Sequence, residues 1–380
     1  MPIKEILKTI YAPHKAFREI LQNPRYLGPI IIMILFSAAS LASTYVILTK
    51  TFSEGTLPET TDEWTENPAL WQTPDDCIVK ANFEDYIAGR IYGNRSIEFF
   101  LENGTEISAS LGDIGPINCS INKGYSKLYL RIKLIEPQTP PENLSLYLYS
   151  SPEDYFYRDL TAEINKTSMV WNNLTIPLGD DSWNRVGNAD WTRINGLKLV
   201  TSWPESSSLR ILVDGLFFGG VFKPAMDQAT DYLTSNFAYA FMQFIIRWVF
   251  LAGIAHIMCK SFKGNVVWRV TLILIGFALI TMFFQALANT AAFTLLPTLK
   301  YPFQYIGGVE GEAAVAYQKL MEETQFVNQI FTYIQAVTMI WTVLLCTFAI
   351  RSMTEFSWSK SLLVATVAYF LTLTLEGFLV

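Results

Sequence analysis

Five long apolar runs dominate the hydropathy pattern of this 380-residue chain. Each run has about the 20 residues that a helix needs to cross the roughly 30 Å hydrocarbon core of a bilayer. The pattern therefore predicts a bundle of five transmembrane helices. We interpret the first run as an uncleaved anchor, because the chain before it is too long for the basic start of a usual signal peptide. The predicted spans are Tyr26–Leu48, Phe237–Met258, Val270–Phe293, Ile330–Ile350 and Leu362–Val380.

The chain between the first two apolar runs follows a different period. In residues 127–136 apolar side chains occupy every second position, and the alternation returns at 144–148 and 209–213. This is the period of a β-strand with one buried face. Because turns rich in Gly, Pro and Asn separate such segments, we predict an all-β jelly-roll sandwich inserted between spans 1 and 2. It would fill residues 51–230, with a core at about 75–223.

Residues 1–25 form an amphipathic segment before the first span. Ile3, Ile6, Leu7 and Ile10 recur at helical spacing. One interpretation is an interfacial helix lying on the cytoplasmic leaflet. The alternative is a helix that packs beneath the bundle, and the sequence leaves both open.

Charge is divided unevenly between the segments and predicts the topology. Residues 1–27 hold five Lys/Arg against two Glu, whereas residues 51–235 hold 14 Lys/Arg against 26 Asp/Glu, a net charge of −12. Basic residues near span ends favour the cytoplasmic side. We therefore expect a multi-pass cell-membrane protein with a cytoplasmic N-terminus, and with the ectodomain and C-terminus outside. Residues 231–380 would form a four-span membrane domain, and a protein with this charge balance is not expected to bind nucleic acid.

Glycosylation motifs support an extracytoplasmic ectodomain, because all six N-x-[ST] sequons of the chain fall between residues 94 and 175. In an oxidising compartment Cys77 and Cys119 could also pair as a disulfide. The sequons identify a candidate cell-surface glycoprotein and are at Asn94, Asn103, Asn118, Asn143, Asn165 and Asn173.

Polar residues inside the predicted spans are the usual indication of function in a bundle. Arg247 lies near the middle of span two, Gln285 and Asn289 lie in span three, and Glu376 lies in span five. An Arg247–Glu376 ion pair within an amide network would hold the helices together. The alternative is that these residues line the pathway of a small-solute transporter or a transporter subunit.

The sequence carries no enzymatic signature such as H-E-x-x-H, G-x-S-x-G, a P-loop or CxxC. With only His14 and His256, both outside the ectodomain, a histidine-based ectodomain active site is excluded. No carboxylate pair stands out as a glycosidase site. We therefore expect no enzyme and no catalytic residues.

The ectodomain resembles galactose-binding-like jelly rolls, which occur as carbohydrate-binding modules. The resemblance implies aromatic side chains that stack on sugar rings, for which Tyr155, Trp183, Trp191 and Trp203 are candidates, although Trp191 is also a candidate core residue. It further implies a structural calcium, with Glu84 and Asp214 as ligands; no other cofactor is expected. The segments that carry the resemblance are Phe83–Asp85, Tyr155–Leu160, Trp171–Pro177, Gly187–Ile194 and Leu212–Gly219.

The membrane part resembles the Yip domain family, whose members are five-span proteins named for interacting with Ypt/Rab GTPases. The resemblance lies in Tyr11–Phe17 and Asn23-Pro24 directly before a span, and in the basic hairpin Lys260–Gly264. It implies an anchor or scaffold with cytoplasmic or membrane protein partners. Unlike family members with a short first loop, this chain would display a whole jelly roll that binds a glycan or an envelope protein.

Overall fold

The computed structural model describes residues 2–89, 91–121, 123–164, 169–179, 181–308 and 311–379. The chain divides into two compact units, which are described separately. The membrane unit consists of Met1–Thr51, Pro224–Leu299 and Met321–Val380. The sandwich unit consists of Phe52–Lys223 and Lys300–Leu320.

Helices form almost all of the membrane unit, and five described segments are long and apolar enough to cross a membrane. The third of these segments is two helices, α6 and α7, which meet at Leu279. The helices of the chain are α1 Pro2–Tyr11, α2 Pro13–Gln22, α3 Leu27–Lys50, α4 Glu63–Glu66, α5 Ala229–Ser261, α6 Trp268–Ala278, α7 Ile280–Phe293, α8 Glu312–Thr354 and α9 Trp358–Leu379.

Close contact between helices α3 and α6 is possible because a glycine lies at each point of approach. A Cβ atom on Gly28 would lie 2.0 Å from the Phe277 ring, and one on Gly276 would lie 2.6 Å from Pro29 and from the Trp248 indole. Neither distance can accommodate a side chain without movement of the helices. The two glycines therefore bring these helices close enough to share one core.

The amphipathic N-terminal segment forms α1 and α2, and it decides between the two interpretations only in part. Ile6, Phe17 and Ile20 are buried in the core of the bundle, as expected of helices that pack beneath it. Ile3 and Leu7 remain 64% and 54% exposed. One face of the segment is therefore packed, and a second apolar face is left open for the interface of a bilayer.

The sandwich unit is an antiparallel sheet whose two halves enclose the main core, and a smaller, separate cluster of buried residues surrounds Phe303. β4 and β10 are long strands that run through both halves, with bulges in their pairing between Ser202 and Leu209. The strands of the chain are β1 Thr51–Leu57, β2 Trp71–Gln72, β3 Ile78–Asn82, β4 Ser96–Leu111, β5 Lys127–Glu136, β6 Asn143–Tyr149, β7 Tyr155–Asp159, β8 Trp171–Pro177, β9 Asn184–Val186, β10 Gly196–Pro224 and β11 Leu299–Tyr301.

Strand pairing separates the two halves of this jelly roll. The first part of β10 pairs with β6, which continues through β7 to β9. The second part of β10 pairs with β5, which continues to β8. The leucines predicted at alternate positions of β5 and β6 all point into the shared core, so the predicted period and the predicted jelly-roll architecture are confirmed.

The predicted spans at 270–293 and 330–350 leave residues 294–329 between them, and this segment is not a simple loop. It carries β11, and α8 begins at Glu312, well before the predicted span at 330. Residues 300–320 belong to the sandwich unit rather than to the membrane domain predicted at 231–380. The reason is that Phe303 is buried against Tyr92, Tyr129 and Phe217. Hydropathy along the chain does not predict this contact, because the partners are distant in sequence.

Candidate functional site

Four tyrosines form a continuous aromatic patch, here called the tyrosine face, on the outer side of β6 and β7. The face consists of Tyr147 and Tyr149 of β6 and of Tyr155 and Tyr157 of β7. Alternation along the strands produces it, because the residues between them, among them Leu148 of β6 and Phe156 of β7, point into the core. Each strand is therefore apolar on one side and tyrosine-lined on the other.

The strand register brings the four rings together. Tyr147 lies directly opposite Tyr157, and Tyr149 lies opposite Tyr155. The centroids of neighbouring rings are 5.3 to 6.5 Å apart, and the rings of Tyr147 and Tyr157 are stacked at 25°. These spacings lie within the range of favourable aromatic pairs. All four side chains are half-buried, so the patch is held firmly but keeps one surface accessible.

Polar side chains border the tyrosine face on both neighbouring strands. Lys198 of β10 lies opposite Tyr147, and Asn184 of β9 lies opposite Tyr157. Asp159 follows the tyrosines at the end of β7, where hydrogen bonds from the Thr161 hydroxyl and backbone N–H hold the pKa of its carboxyl below the usual range. The face thus combines flat apolar surface with a cation, an amide and an anion.

This arrangement suits a ligand that has both apolar faces and hydroxyl groups. Tyrosine offers a large, rigid surface with a polar tip, and few of its dihedral angles need to be ordered on binding. Burial raises the pKa values of Tyr147 and Tyr149 above their ordinary value, so both hydroxyls remain protonated donors at neutral pH. The described residues of the face include no nucleophile–base pair.

Of the aromatic residues predicted to stack on sugars, only Tyr155 belongs to the tyrosine face. Trp183 and Trp203 are buried in the core, where their indole N–H groups donate to the backbone oxygens of Pro177 and Thr139. Trp191 stacks on Phe156 with ring centroids 3.9 Å apart. Trp183 and Trp203 are therefore core residues, and Trp191 packs against the core, in line with the alternative interpretation given for it.

A second concave surface lies at the end of the sandwich next to these tryptophans. This groove of about 490 Å³ is lined by Trp183 and Trp191 together with Asp181, Arg185 and Asp190.

The prediction from sequence did not include Tyr147, Tyr149 and Tyr157 of the tyrosine face. The signal for them was present, because in residues 146–149 and 155–157 tyrosines alternate with residues of the core.

The described sequon asparagines lie where an attached glycan could be accommodated. Asn94, Asn103, Asn118 and Asn173 are exposed, and Asn143 is half-buried. The sixth sequon, at Asn165, lies outside the described residues.

Cys77 and Cys119, which the sequence allows to pair as a disulfide, are not bonded to each other in the structure. Both are buried free thiols in the core. Burial raises the pKa of the Cys119 thiol to about 12, so it is an unreactive core residue at neutral pH.

The residues predicted to bind calcium do not fit that ion. Glu84 is exposed, whereas Asp214 is buried beside Asp62, and the described residues contain no cluster of three or more potential metal ligands. The Asp214 carboxylate instead accepts hydrogen bonds from the backbone N–H groups of Ile87 and Gly215, at 2.7 Å each. These donors already occupy the oxygen atoms that a cation would need.

A buried arginine lies close to this acidic pair. The Arg131 side chain is fully buried, and its guanidinium bonds both carboxylate oxygens of Glu312 at 3.0 and 3.2 Å. Desolvation raises the pKa of Asp62 to about 7, and desolvation together with the neighbouring Asp62 charge raises that of Asp214 to about 8. The cluster is a structural device that fixes residues 300–320 within the sandwich unit.

The polar residues predicted inside the bundle lie on three helices, α5, α7 and α9. The Arg247 Nε atom lies 2.8 Å from Glu376 Oε2, and its Nη2 atom lies 2.9 Å from Oε1. This is the expected ion pair in a bidentate geometry, the strongest form of such a contact. Gln285 and Asn289 lie on the same side of α7 and face a polar cavity with Arg247.

The sandwich unit is similar to solved carbohydrate-binding modules. One is a family 11 module from Clostridium thermocellum in complex with a β-1,3-1,4-mixed-linked tetrasaccharide (13% identity, 43% of this chain and 94% of that chain, TM-score 0.29). Another is a structure described for promiscuous specificity within the β-sandwich superfamily (16% identity, TM-score 0.28). This match covers 42% of this chain and 60% of that one. A third is a family 30 module of a Clostridium thermocellum cellulase (10% identity, 39% and 84% coverage, TM-score 0.28).

Family comparison places the C-terminal part of the chain. The search of curated proteins found no match to the chain. The Yip1 domain family model matches residues 206–378, from the second half of β10 through α9. The resemblance predicted for the membrane part is confirmed over these residues, whereas its extension to residues 1–50 lies outside the match and stays a prediction. The chain therefore has five segments long and apolar enough to cross a membrane, as expected of a multi-pass membrane protein, and its residues 206–378 match the Yip1 domain family.

Proposed function

We propose that this protein is a non-enzymatic membrane scaffold whose sandwich binds a glycan on the tyrosine face. The observation that carries the proposal is the set of four adjacent, half-exposed tyrosine rings on one flat strand pair. Sugar rings present apolar C–H faces and a rim of hydroxyls, and the tyrosines with Lys198, Asn184 and Asp159 supply partners for both. A protein partner at the same face is the alternative occupant.

The membrane unit would anchor this face at the outer side of the cell membrane. We propose a cytoplasmic N-terminus, an extracytoplasmic and glycosylated sandwich, and an extracytoplasmic C-terminus. This orientation is supported by the basic N-terminal segment and by the exposure of the described sequon asparagines. Protease added to intact cells is then expected to release a glycosylated fragment while a tag at residue 1 stays protected. Detection of that tag outside the cell would contradict the orientation.

A glycan array probed with the purified full-length chain tests the binding proposal. We expect binding to a subset of glycans, and its loss by more than about tenfold in the double variant Tyr147→Ala/Tyr157→Ala, because two stacking surfaces are removed. The matched control is Tyr232→Ala, which removes an exposed tyrosine of α5. Thermal unfolding of each variant checks that the sandwich is intact.

Three results would count against glycan binding at this face. They are silence across the array, binding that survives in the double variant, and equal loss in the Tyr232→Ala control. Loss only after Trp191→Ala would move the site to the groove beside Trp183.

The second candidate function is a small-solute transporter or transporter subunit that uses Arg247 and Glu376. The observation in its favour is the polar cavity next to this ion pair. Uptake of a solute into proteoliposomes that is abolished by Arg247→Leu, with unchanged thermal stability, would place transport ahead of the scaffold function.

A further inference from the structure

A polar cavity of about 340 Å³ lies inside the membrane unit between α3, α5, α7 and α8. Its hydrogen-bonding residues recur at helical spacing, four apart in α7 and seven and then four apart in α5, so each helix presents them on one face. The residues that carry the argument are Asn236, Gln243, Arg247, Gln285, Asn289 and Gln335. Such a concentration of polar groups in membrane helices is costly without a function.

The cavity carries no net charge, which restricts what it can bind. Among the described residues, the only charged one that lines the cavity is Arg247, and its guanidinium is neutralised by the bidentate contact with Glu376. The ion pair therefore offers no net charge that would attract an anion or a cation. A second cavity of about 250 Å³ shares Arg247, Gln285 and Gln335 with the first, so the ion pair borders both spaces.

The amides of the cavity have hydrogen-bonding capacity that the protein does not use. Asn289 Oδ1 is buried and accepts no hydrogen bond. Gln243 and Gln285 are half-buried and Gln335 is exposed, and none of these three side-chain amides hydrogen-bonds to another of the described residues. Each primary amide offers two donors and an acceptor. The cavity therefore presents donors and acceptors together, in a place where unmade hydrogen bonds are expensive.

Aromatic rings supply the apolar part of the lining. Phe293 and Phe331 stack with ring centroids 6.2 Å apart, and both line the cavity with Phe36. A volume near 340 Å³ lies at the lower end of the range found for small-molecule sites. Hydroxyl groups, which are donors and acceptors at once, match the amides, and a ring with apolar faces matches the phenylalanines.

We propose that this cavity binds a neutral, polyhydroxylated group of the sugar or polyol type. The group could belong to a glycolipid that enters from the bilayer or to a free sugar that enters from water. The inference is independent of the glycan proposed for the sandwich, because it rests only on residues of the membrane unit.

Binding is tested with the full-length chain in phosphatidylcholine nanodiscs, which contain no sugar detergent to fill the cavity. The background is Tyr147→Ala/Tyr157→Ala, so that the tyrosine face does not contribute. Monoglucosyl diacylglycerol is the lipid probe, glucose and myo-inositol are the free probes, and phosphatidylglycerol is the anionic comparison. The melting temperature by tryptophan fluorescence and a Kd from titration are the readouts.

We expect one neutral probe to raise the melting temperature and to bind about tenfold more weakly to Gln285→Leu, because a hydrogen-bonding partner that lines the cavity is lost. Gln325→Leu is the matched control, since Gln325 is an exposed amide of α8. Asn289→Leu replaces Gln285→Leu if the latter does not fold. The lipid and free probes distinguish the two sources.

Absence of binding by every neutral probe would overturn the inference. So would binding that is unchanged in both cavity variants, equal weakening in the Gln325→Leu control, or tighter binding of phosphatidylglycerol than of the neutral probes.

Discussion

The sandwich unit and the membrane unit each bury one arginine against one glutamate, but they do so in different surroundings. Arg131 is fully enclosed, with the rings of Tyr92, Tyr129 and Phe303 within 5.4 to 5.6 Å of its guanidinium carbon. Arg247 instead borders a polar cavity with unbonded amides. One arginine is sealed by aromatic rings, whereas the other lies beside space that a ligand can enter.

The difference indicates what each pair does. In the sandwich, Arg131 and Glu312 join residues far apart in sequence, and their side chains are only 0% and 9% exposed. Glu54 makes a parallel connection, because its carboxylate accepts from the Tyr129 hydroxyl and the Phe303 backbone N–H at 2.7 Å each. A sealed pair with such support is structural. A pair beside an unsatisfied cavity is the better candidate for function.

The largest effect is expected from Arg131→Met. This change leaves Glu312 buried without its cation, and Asp62 and Asp214 without the nearby positive charge, which typically costs about 3–5 kcal/mol. Urea or thermal unfolding of the full-length chain measures it. Adding Glu312→Gln should recover part of the loss, whereas Lys123→Met, at an exposed position, should have little effect. A nearly neutral Arg131→Met would show that the enclosed pair does not hold the sandwich together.

A smaller but still large effect is expected from Arg247→Leu in the membrane unit. Removing one partner leaves the other uncompensated, at a cost of at least about 2 kcal/mol. The double variant Arg247→Leu/Glu376→Gln should be better tolerated than the single one. If the two changes are simply additive in a detergent melting assay, the pair is not an energetic unit.

The comparison also shows what the sequence could and could not predict. Arg247 and Glu376 stand out as the charged residues deep in apolar runs, so hydropathy alone suggested their pairing. Arg131 did not stand out, because a polar residue on the outer side of β5 fits the normal alternation of a strand. Its burial depends on Phe303 and Glu312, more than 170 residues later in the chain.

The candidate site shows the same limit of local patterns. The tyrosines of β6 and β7 follow from alternation, but their pairing depends on the register of two strands. The tryptophans looked like binding residues by type alone, and the structure places Trp183 and Trp203 in the core. The aromatic residue type suggested the class of site, but which aromatic residues lie on the surface could be known only from the tertiary fold.

A third prediction concerns how the unfolding free energy of the sandwich depends on pH. The pKa values of Asp62 and Asp214 are raised from 3.8 to about 7 and about 8, so the folded sandwich binds protons more tightly than the unfolded chain. The resulting stability is fully present below about pH 4 and is lost as pH rises through 7 to 8. We expect the sandwich to gain at least about 2 kcal/mol between pH 8 and pH 5, because Asp62 alone contributes about 1.4 kcal/mol for each pH unit below its pKa. Below about pH 4 the half-buried Asp154 and the exposed Asp190, whose pKa values are lowered, act in the opposite direction.

The control for this titration is Asp214→Asn, which removes one of the two coupled carboxyls and should flatten the rise between pH 8 and pH 5. Chemical unfolding at several pH values measures both proteins. Stability that falls steadily from pH 8 to pH 5 in the unchanged protein would contradict the raised pKa values.

The smallest effects test whether polar groups serve stability in one unit and binding in the other. In the sandwich, the Thr65 hydroxyl donates to the Asp62 carboxylate at 2.5 Å, so Thr65→Val should lower the unfolding free energy by about 1–2 kcal/mol. In the membrane unit, the buried Asn289 Oδ1 has no donor, so Asn289→Leu removes an unsatisfied group and should leave the melting temperature unchanged or raise it. A native polar group that can be removed without loss of stability is retained for another reason, which binding in the cavity would supply. Paired melting curves for the two variants decide the matter, because a marked drop for Asn289→Leu would make the cavity amides structural and remove the contrast between the units.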